Sequence, residues 1–166
     1  MSLVIEPMTP DDWLAVRRIH QEGIATGVAT LDPESPDWER WDAAHRPDCR
    51  FVARLDGVVV GWTALGPYSA RAVYAGVAWE SVYVGKGARR SGVGTALLAR
   101  LVEESEAAGI WTLLGGILAA NRASRALHLR AGFREIGINR RLGRARDGRW
   151  RDVVLMERRS EVVGVD

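Results

Sequence analysis

Three groups of residues in this 166-residue chain have types and spacings suited to chemistry. The first is the basic, glycine-rich run Arg89-x-x-Gly92-x-Gly94, which follows Val82-Tyr83-Val84 and precedes an apolar stripe of helical period, Val93, Ala96, Leu97 and Leu101. The first N–H groups of a helix have no partner within it and carry the positive end of its dipole, so a strand–turn–helix junction of this kind is a candidate phosphate site, with an ordinary turn entering a helix as the structural alternative. Gly92 and Gly94 let an anion approach the backbone, and Arg89 and Arg90 add charged donors. The spacing is neither the dinucleotide fingerprint nor a Walker loop. The second group is Glu80, a carboxylate inside an apolar strand pattern. A carboxylate placed there is costly to desolvate and is a candidate proton acceptor, with a solvent-facing edge acid as the structural alternative. The third is His128 on a helical segment, which could move a proton or be a packed histidine with its hydrogen bonds satisfied.

The elements that must position these groups are legible in outline. Leu3 to Glu6 reads as a strand. Thr9-Pro10-Asp11-Asp12 is a helix start, and Trp13, Val16 and Ile19 form the buried face behind it. Ser35-Pro36-Asp37 opens a second, short helix holding Trp38 and Trp41. Asp56-Gly57 between Arg50–Leu55 and Val58–Leu65 is a hairpin signal. After the central helix, Gly109 supplies a stop, and Trp111–Ile117 reads as a strand. Asn121–Ala131 reads as a helix closed by Gly132, and Phe133–Ile138 and Val153–Met156 as the last strands. The order is strand, two helices, three strands, helix, strand, helix, two strands. It predicts a mixed α+β domain with a central sheet and helices on both sides.

Composition sets limits. Hydrophobic content of 47% and charged content of 27% are those of a globular protein, and no apolar run approaches the ~18 residues of a membrane helix. The single cysteine, Cys49, excludes an intrachain disulfide and lacks an activating context. His20, His45 and Cys49 do not make a metal set, so no metal is expected. The basic residues are arginine except Lys86, and Arg134, Arg140, Arg141, Arg144, Arg146, Arg149 and Arg151 cluster near the end. That cluster lacks interleaved stacking aromatics, so a solvated edge, a subunit contact or a basic wall near phosphates is expected rather than nucleic-acid binding. Neither a membrane nor a nucleic acid is an expected partner. The seven tryptophans suit a subunit interface or a core equally.

The loop Arg89-x-x-Gly92-x-Gly94 after Val-Tyr-Val resembles the acetyl-CoA pyrophosphate loop of the GNAT acetyltransferase superfamily. Asn121-x-x-Ser124-x-x-Leu127-His128-x-x-x-Gly132-Phe133 resembles that superfamily's second cofactor segment. Gly61-Trp62, Arg71-x-x-Tyr74 and Gly148-Arg149-Trp150-Arg151-Asp152-Val153 extend the resemblance to the phosphinothricin and methionine sulfoximine acetyltransferase branch. The residues themselves give the expectation of a disordered tail at 160–166 and, with no apolar span, of a cytoplasmic protein; the resemblance implies a single GNAT domain over residues 1–159 that forms a homodimer. It also implies acetyl-CoA as co-substrate and direct attack on the thioester by the amine of a small amino-acid-like acceptor. Val82, Tyr83 and Val84 would then hold the pantetheine. Arg89, Arg90, Ser91, Gly92, Val93, Gly94 and Thr95 would hold the pyrophosphate, with Asn121 and Ser124 as further cofactor contacts, although the last two also fit a helix cap and first turn. Thr30, Arg71 and Tyr74 would meet the acceptor, and Glu80 or His128 would manage protons. Glu80 lies one residue later than that branch's strand carboxylate, where this chain has Trp79. Because side chains alternate along a strand, the shift turns Glu80 to the other face unless a bulge restores it.

Overall fold

A computed structural model describes residues 2–166. Its elements are β1 (Leu3–Pro7), α1 (Trp13–Thr26), α2 (Trp38–Ala44), β2 (Phe51–Leu55), β3 (Val58–Pro67), β4 (Val77–Val84), α3 (Val93–Ala107), β5 (Thr112–Leu118), α4 (Arg122–Arg130), β6 (Arg134–Arg144) and β7 (Trp150–Arg159). The strands form one sheet in the order β1-β2-β3-β4-β5-β7-β6. All neighbours are antiparallel except β4 and β5, which run parallel. The mixed sheet expected from the element order is therefore present.

Local signals explain much of this. Asp56 and Gly57 both have positive φ, the requirement of the tight hairpin turn joining β2 to β3. Thr9 and Asp12 exchange a capping box at the entry to α1. Asp37, not Ser35, caps α2, its carboxylate accepting from Arg40 N at 2.9 Å. The Ser35 hydroxyl is free for another use described below.

Two cores lie on opposite faces of the sheet. Val93, Leu97, Leu98 and Leu101 of α3 pack with Phe51, Ala78, Leu113 and Met156 on one face. Val16 and Ile19 of α1 and Trp41 of α2 pack with Val52, Val59 and Trp62 on the other. Four tryptophans, Trp13, Trp38, Trp41 and Trp62, belong to this second core, whereas Trp150 is exposed.

The last two strands are longer than the sequence suggests, and the arginine cluster sits on their hairpin. β6 is an edge strand exposed along most of its length, so it carries no alternating apolar signal, and its pairing with β7 defines it. The tail expected to be disordered is tied down at its start. Ser160 is buried and its hydroxyl donates to Glu106 Oε1 at 2.9 Å, while Arg159 donates to the carbonyls of Val163 and Gly164.

Candidate active site

The sheet opens at its centre. β4 pairs with β5 only at Val77↔Thr112, Ala78↔Leu113 and Trp79↔Leu114, although both strands continue beyond. Glu80 is the first residue past the parting. Beyond it, one edge of β4 is free of the β5 ladder and able to pair with an extended ligand.

Along β4 the alternation is strict. Its register with β3 runs unbroken from Ala78 to Val84, so no bulge turns Glu80. Ala78, Val82 and Val84 join the α3 core, and Tyr83 joins the α1 core. Glu80 therefore faces α3 and α4, and there it meets His128: Oε1 lies 2.7 Å from Nε2, with both side chains almost fully buried. Residue 115 is Gly for a steric reason, since a Cβ there would stand 2.6 Å from Glu80 Oε1.

The proton count of this pair follows from its partners. His128 Nδ1 donates to the Ser124 carbonyl at 2.7 Å, so it carries a hydrogen. Nε2 faces a carboxylate, so one proton is shared between Nε2 and Oε1. Burial by itself would lower the His128 pKa, but the Glu80 charge and hydrogen bond outweigh it, and the imidazole is held above its usual value. Glu80 Oε2 is buried and has no partner among the described residues.

A cavity of about 620 Å³ lies beside this pair, lined by Val82, Tyr83, Val84, Arg89, Arg90, Gly92, Gly94, Thr95, Asn121 and Ser124, together with α1 and α4 residues. Ten of the twelve positions expected to contact cofactor line it. The other two side chains turn elsewhere: the Ser91 hydroxyl donates to the Ala88 carbonyl, and Val93 is buried in the core. At the mouth, Gly92 holds φ +84° as the α3 N-cap and no side chain caps the helix. The first turn of α3 thus presents its N–H groups to the cavity. Arg90 is also left-handed, at φ 63°. Glu22 Oε2 accepts from Lys86 N at 2.6 Å and ties the loop to α1. Asn121 Oδ1 accepts from Ser124 N at 3.1 Å, so the residue caps α4 while lining the cavity.

Of the expected acceptor residues, Thr30 lies near the Tyr83 phenol, its hydroxyl accepting from Asp32 N at 3.0 Å, and the two others stand apart. The Arg71 guanidinium lies 5.2 Å from the Tyr74 ring centroid, Tyr74 packs edge-on against Tyr68, and neither Arg71 nor Tyr74 lines a cavity described here. Burial pushes the Tyr83 phenol up to about 12, so it stays protonated near neutral pH. Burial likewise pushes the Cys49 thiol to about 11, which leaves it inert.

Sequence reasoning missed a second cavity, of about 280 Å³, between α1, α2 and the sheet. His20, Asp32, Arg40, Trp41, His45, Trp62, Ser81 and Tyr83 are among its walls. His20 Nδ1 bonds the Ser35 hydroxyl at 2.9 Å and Nε2 lies 3.4 Å from Asp32, which pins the α1–α2 segment over this space. Leu31 from the same segment rests on β6, where a Cβ at Gly143 would stand 2.5 Å from its Cδ1. No local motif announces this site, since its walls come from two helices, a loop and two strands.

A mixed sheet that parts beside a buried acid–histidine pair, with an uncapped helix N-terminus at the mouth of the opening, defines an acyltransferase architecture. The Acetyltransferase (GNAT) family profile matches residues 13–133. The chain is 30% identical to a phosphinothricin N-acetyltransferase of Streptomyces coelicolor, covering 93% of this chain and 94% of that protein. It is 34% identical to an L-methionine sulfoximine/L-methionine sulfone acetyltransferase of Pseudomonas paraeruginosa, covering 95% and 94%. Among solved structures, a GNAT superfamily phosphinothricin acetyltransferase from Sinorhizobium meliloti in complex with AcCoA superposes with a TM-score of 0.85 at 27% identity, covering 100% of this chain and 97% of that one. A ribosomal-protein-alanine N-acetyltransferase from Brucella melitensis gives 0.86 at 32% identity, covering 95% and 99%. The chain belongs to the GNAT family and is an N-acetyltransferase.

Proposed function

We propose that the protein transfers the acetyl group of acetyl-CoA to the amino group of a small amino-acid-like acceptor of phosphinothricin, methionine sulfoximine or methionine sulfone type. The observation that carries this reading is the 620 Å³ cavity running from the uncapped α3 N-terminus to the free edge of β4, next to Glu80. Its mouth suits a pyrophosphate, held by the first-turn N–H groups with Arg89 and Arg90, and its β4 wall suits the pantetheine amides. The named relatives and the AcCoA complex of the Sinorhizobium meliloti enzyme support acetyl-CoA as the donor.

In this reading the neutral amine attacks the thioester carbonyl. A C–N bond forms, the C–S bond breaks, and the amine's proton must leave. Glu80 receives it at Oε2, the oxygen His128 does not occupy. Neither residue lies on a cavity wall, so a water carries the proton to the pair. His128 balances the Glu80 charge and can return a proton toward the departing thiolate. Tyr83 is excluded as base by its raised pKa. Of the expected acceptor residues this reading keeps Thr30, which lies near Tyr83, whereas Arg71 and Tyr74 line neither cavity and have no part in it.

The enzyme acts as a cytoplasmic homodimer. Exposed Ile136, Ile138, Leu142 and Trp150 on the β6–β7 hairpin give an apolar surface suited to a second copy. A protein N-terminus is the competing acceptor, favoured by similarity to the Brucella melitensis enzyme, but a compact 280 Å³ second cavity favours a small one.

The test is release of CoA thiol from acetyl-CoA with phosphinothricin, methionine sulfoximine, methionine sulfone, common amino acids and a peptide beginning with Ala. Saturable turnover with one of the first three is the expected result. Turnover confined to the peptide would overturn the small-acceptor reading.

A further inference from the structure

We infer that Glu22 of α1 is a positioning residue for the cofactor's pyrophosphate, holding the loop that brings Arg89 and the α3 N-terminus to the first cavity. This rests on the acetyl-CoA reading above. Glu22 is not itself a wall of that cavity, and it lies 64 residues from Lys86 in the sequence. It acts through what it holds.

Its two carboxylate oxygens are divided between two partners. Oε1 accepts from Arg18 Nη1 at 2.6 Å, one turn earlier on α1, and Oε2 accepts from Lys86 N at 2.6 Å. Arg18 is fixed in turn by donating to the Val59 carbonyl at 3.3 Å, and Gly85 N donates to the Val60 carbonyl at 2.7 Å. The entrance of the loop is thus pinned to β3 twice, once directly and once through Glu22 and Arg18. Partial burial would by itself raise the Glu22 pKa, but the bonds from Lys86 N and Arg18 outweigh it and hold the carboxyl below its usual value. Near neutral pH both oxygens are therefore acceptors.

Beyond the pinned point comes a run that local preference does not hold. Lys86–Ala88 is a single 3-10 turn, Arg90 has φ 63° and Gly92 has φ 84°. A left-handed residue other than glycine persists where its surroundings over-determine it. Glu22 contributes to those surroundings a second time, through its backbone. Arg89 Nε donates to the Val84 carbonyl at 3.3 Å, and Nη2 reaches the Glu22 carbonyl at 3.5 Å. One edge of the guanidinium is spent on these carbonyls, and the remaining donors, on a residue that walls the cavity, are left for an anion. By charge alone, an acid in contact with a phosphate loop would weaken anion binding. Position and charge therefore predict opposite signs when Glu22 is altered.

The experiment is calorimetric titration with CoA of the wild type, Glu22→Asp, Glu22→Gln and Glu22→Ala, with a melting curve for each. Asp keeps the charge but is one methylene too short for Lys86 N, whereas Gln loses the charge and keeps an oxygen in reach. The Kd for CoA is expected to rise about tenfold in the Asp and Ala variants and no more than about threefold in Gln. The acetyl-CoA KM should follow the same factors, with kcat and the acceptor KM unmoved. An unchanged or lowered Kd in Glu22→Asp at wild-type Tm overturns the inference, and so does a loss in Gln as large as that in Asp. Should Glu22→Ala fail to fold, the Asp and Gln variants decide. If the wild type takes up no CoA, the acetyl-CoA reading fails and this inference with it, whereas wild-type uptake that ignores position 22 overturns the inference alone.

Discussion

The two faces of β4 build their sites from different materials. Toward α3 the cavity offers backbone groups at its mouth and along its wall: glycines, the N–H groups of an uncapped helix turn, and a strand edge left open where β5 departs. Toward α1 it is made of side chains, with tryptophan, tyrosine and histidine rings stacked against one another. The first design suits a ligand whose phosphates and amides are always the same. The second suits a ligand that varies among enzymes, because a ring can be exchanged without rebuilding the chain. Glu80 stands at the seam and belongs to the α3 face.

Changes at the seam should have the largest effect. Glu80→Gln is expected to lower kcat by about 100-fold with little change in either KM, and kcat unchanged in the thiol-release assay would move the proton role to His128 or to water. Gly115→Ala should act through the same group, because its Cβ would force the carboxylate aside, and about a tenfold loss of kcat is expected. Gly92→Val tests the backbone half. It places a β-branched residue at φ +84° and should raise the acetyl-CoA KM by about tenfold while leaving the acceptor KM alone; unaltered cofactor binding would break the contrast. Tyr83→Phe tests the side-chain half more gently, since it removes only the phenol hydroxyl of a ring that walls both cavities, and the acceptor KM should rise by about threefold, more than the acetyl-CoA KM.

The smallest effect is on stability. The His128 pKa is raised in the native state, so the pair's stabilisation is fully present below the unfolded value of 6.5 and is lost as pH rises through the raised value. Tm should therefore slide downward as pH rises from 6.5, and His128→Gln should flatten that slope in a melting series. A slope that persists in the variant would assign it to another group.

Much of the cofactor half was legible because its logic is local. Strand, turn, glycines and helix fall within the run from Val82 to Leu101, and the period of the apolar residues changes where the helix begins. Likewise, Asp56-Gly57 specified its own turn, and the order of elements alone indicated a mixed sheet with helices on both sides. Alternation left a bulge as the one way to turn Glu80, and the unbroken β3–β4 register shows none, so Glu80 and Trp79 point to opposite faces. What it faces could not be read, since His128 lies 48 residues away and is brought there by α4 packing on the sheet. The β6–β7 hairpin was read too short, as Phe133–Ile138 and Val153–Met156, because an exposed edge strand can be arginine-rich and still be held by ladder hydrogen bonds. The second cavity left no trace in the sequence for a similar reason. Trp41 and Trp62 look like any buried tryptophan, and only the crossing of α1 and α2 over the sheet makes neighbours of two indoles and leaves their N–H groups unpaired. Local spacing determined where a phosphate can sit; long-range packing decided which carboxylate meets which histidine and what shape of acceptor fits.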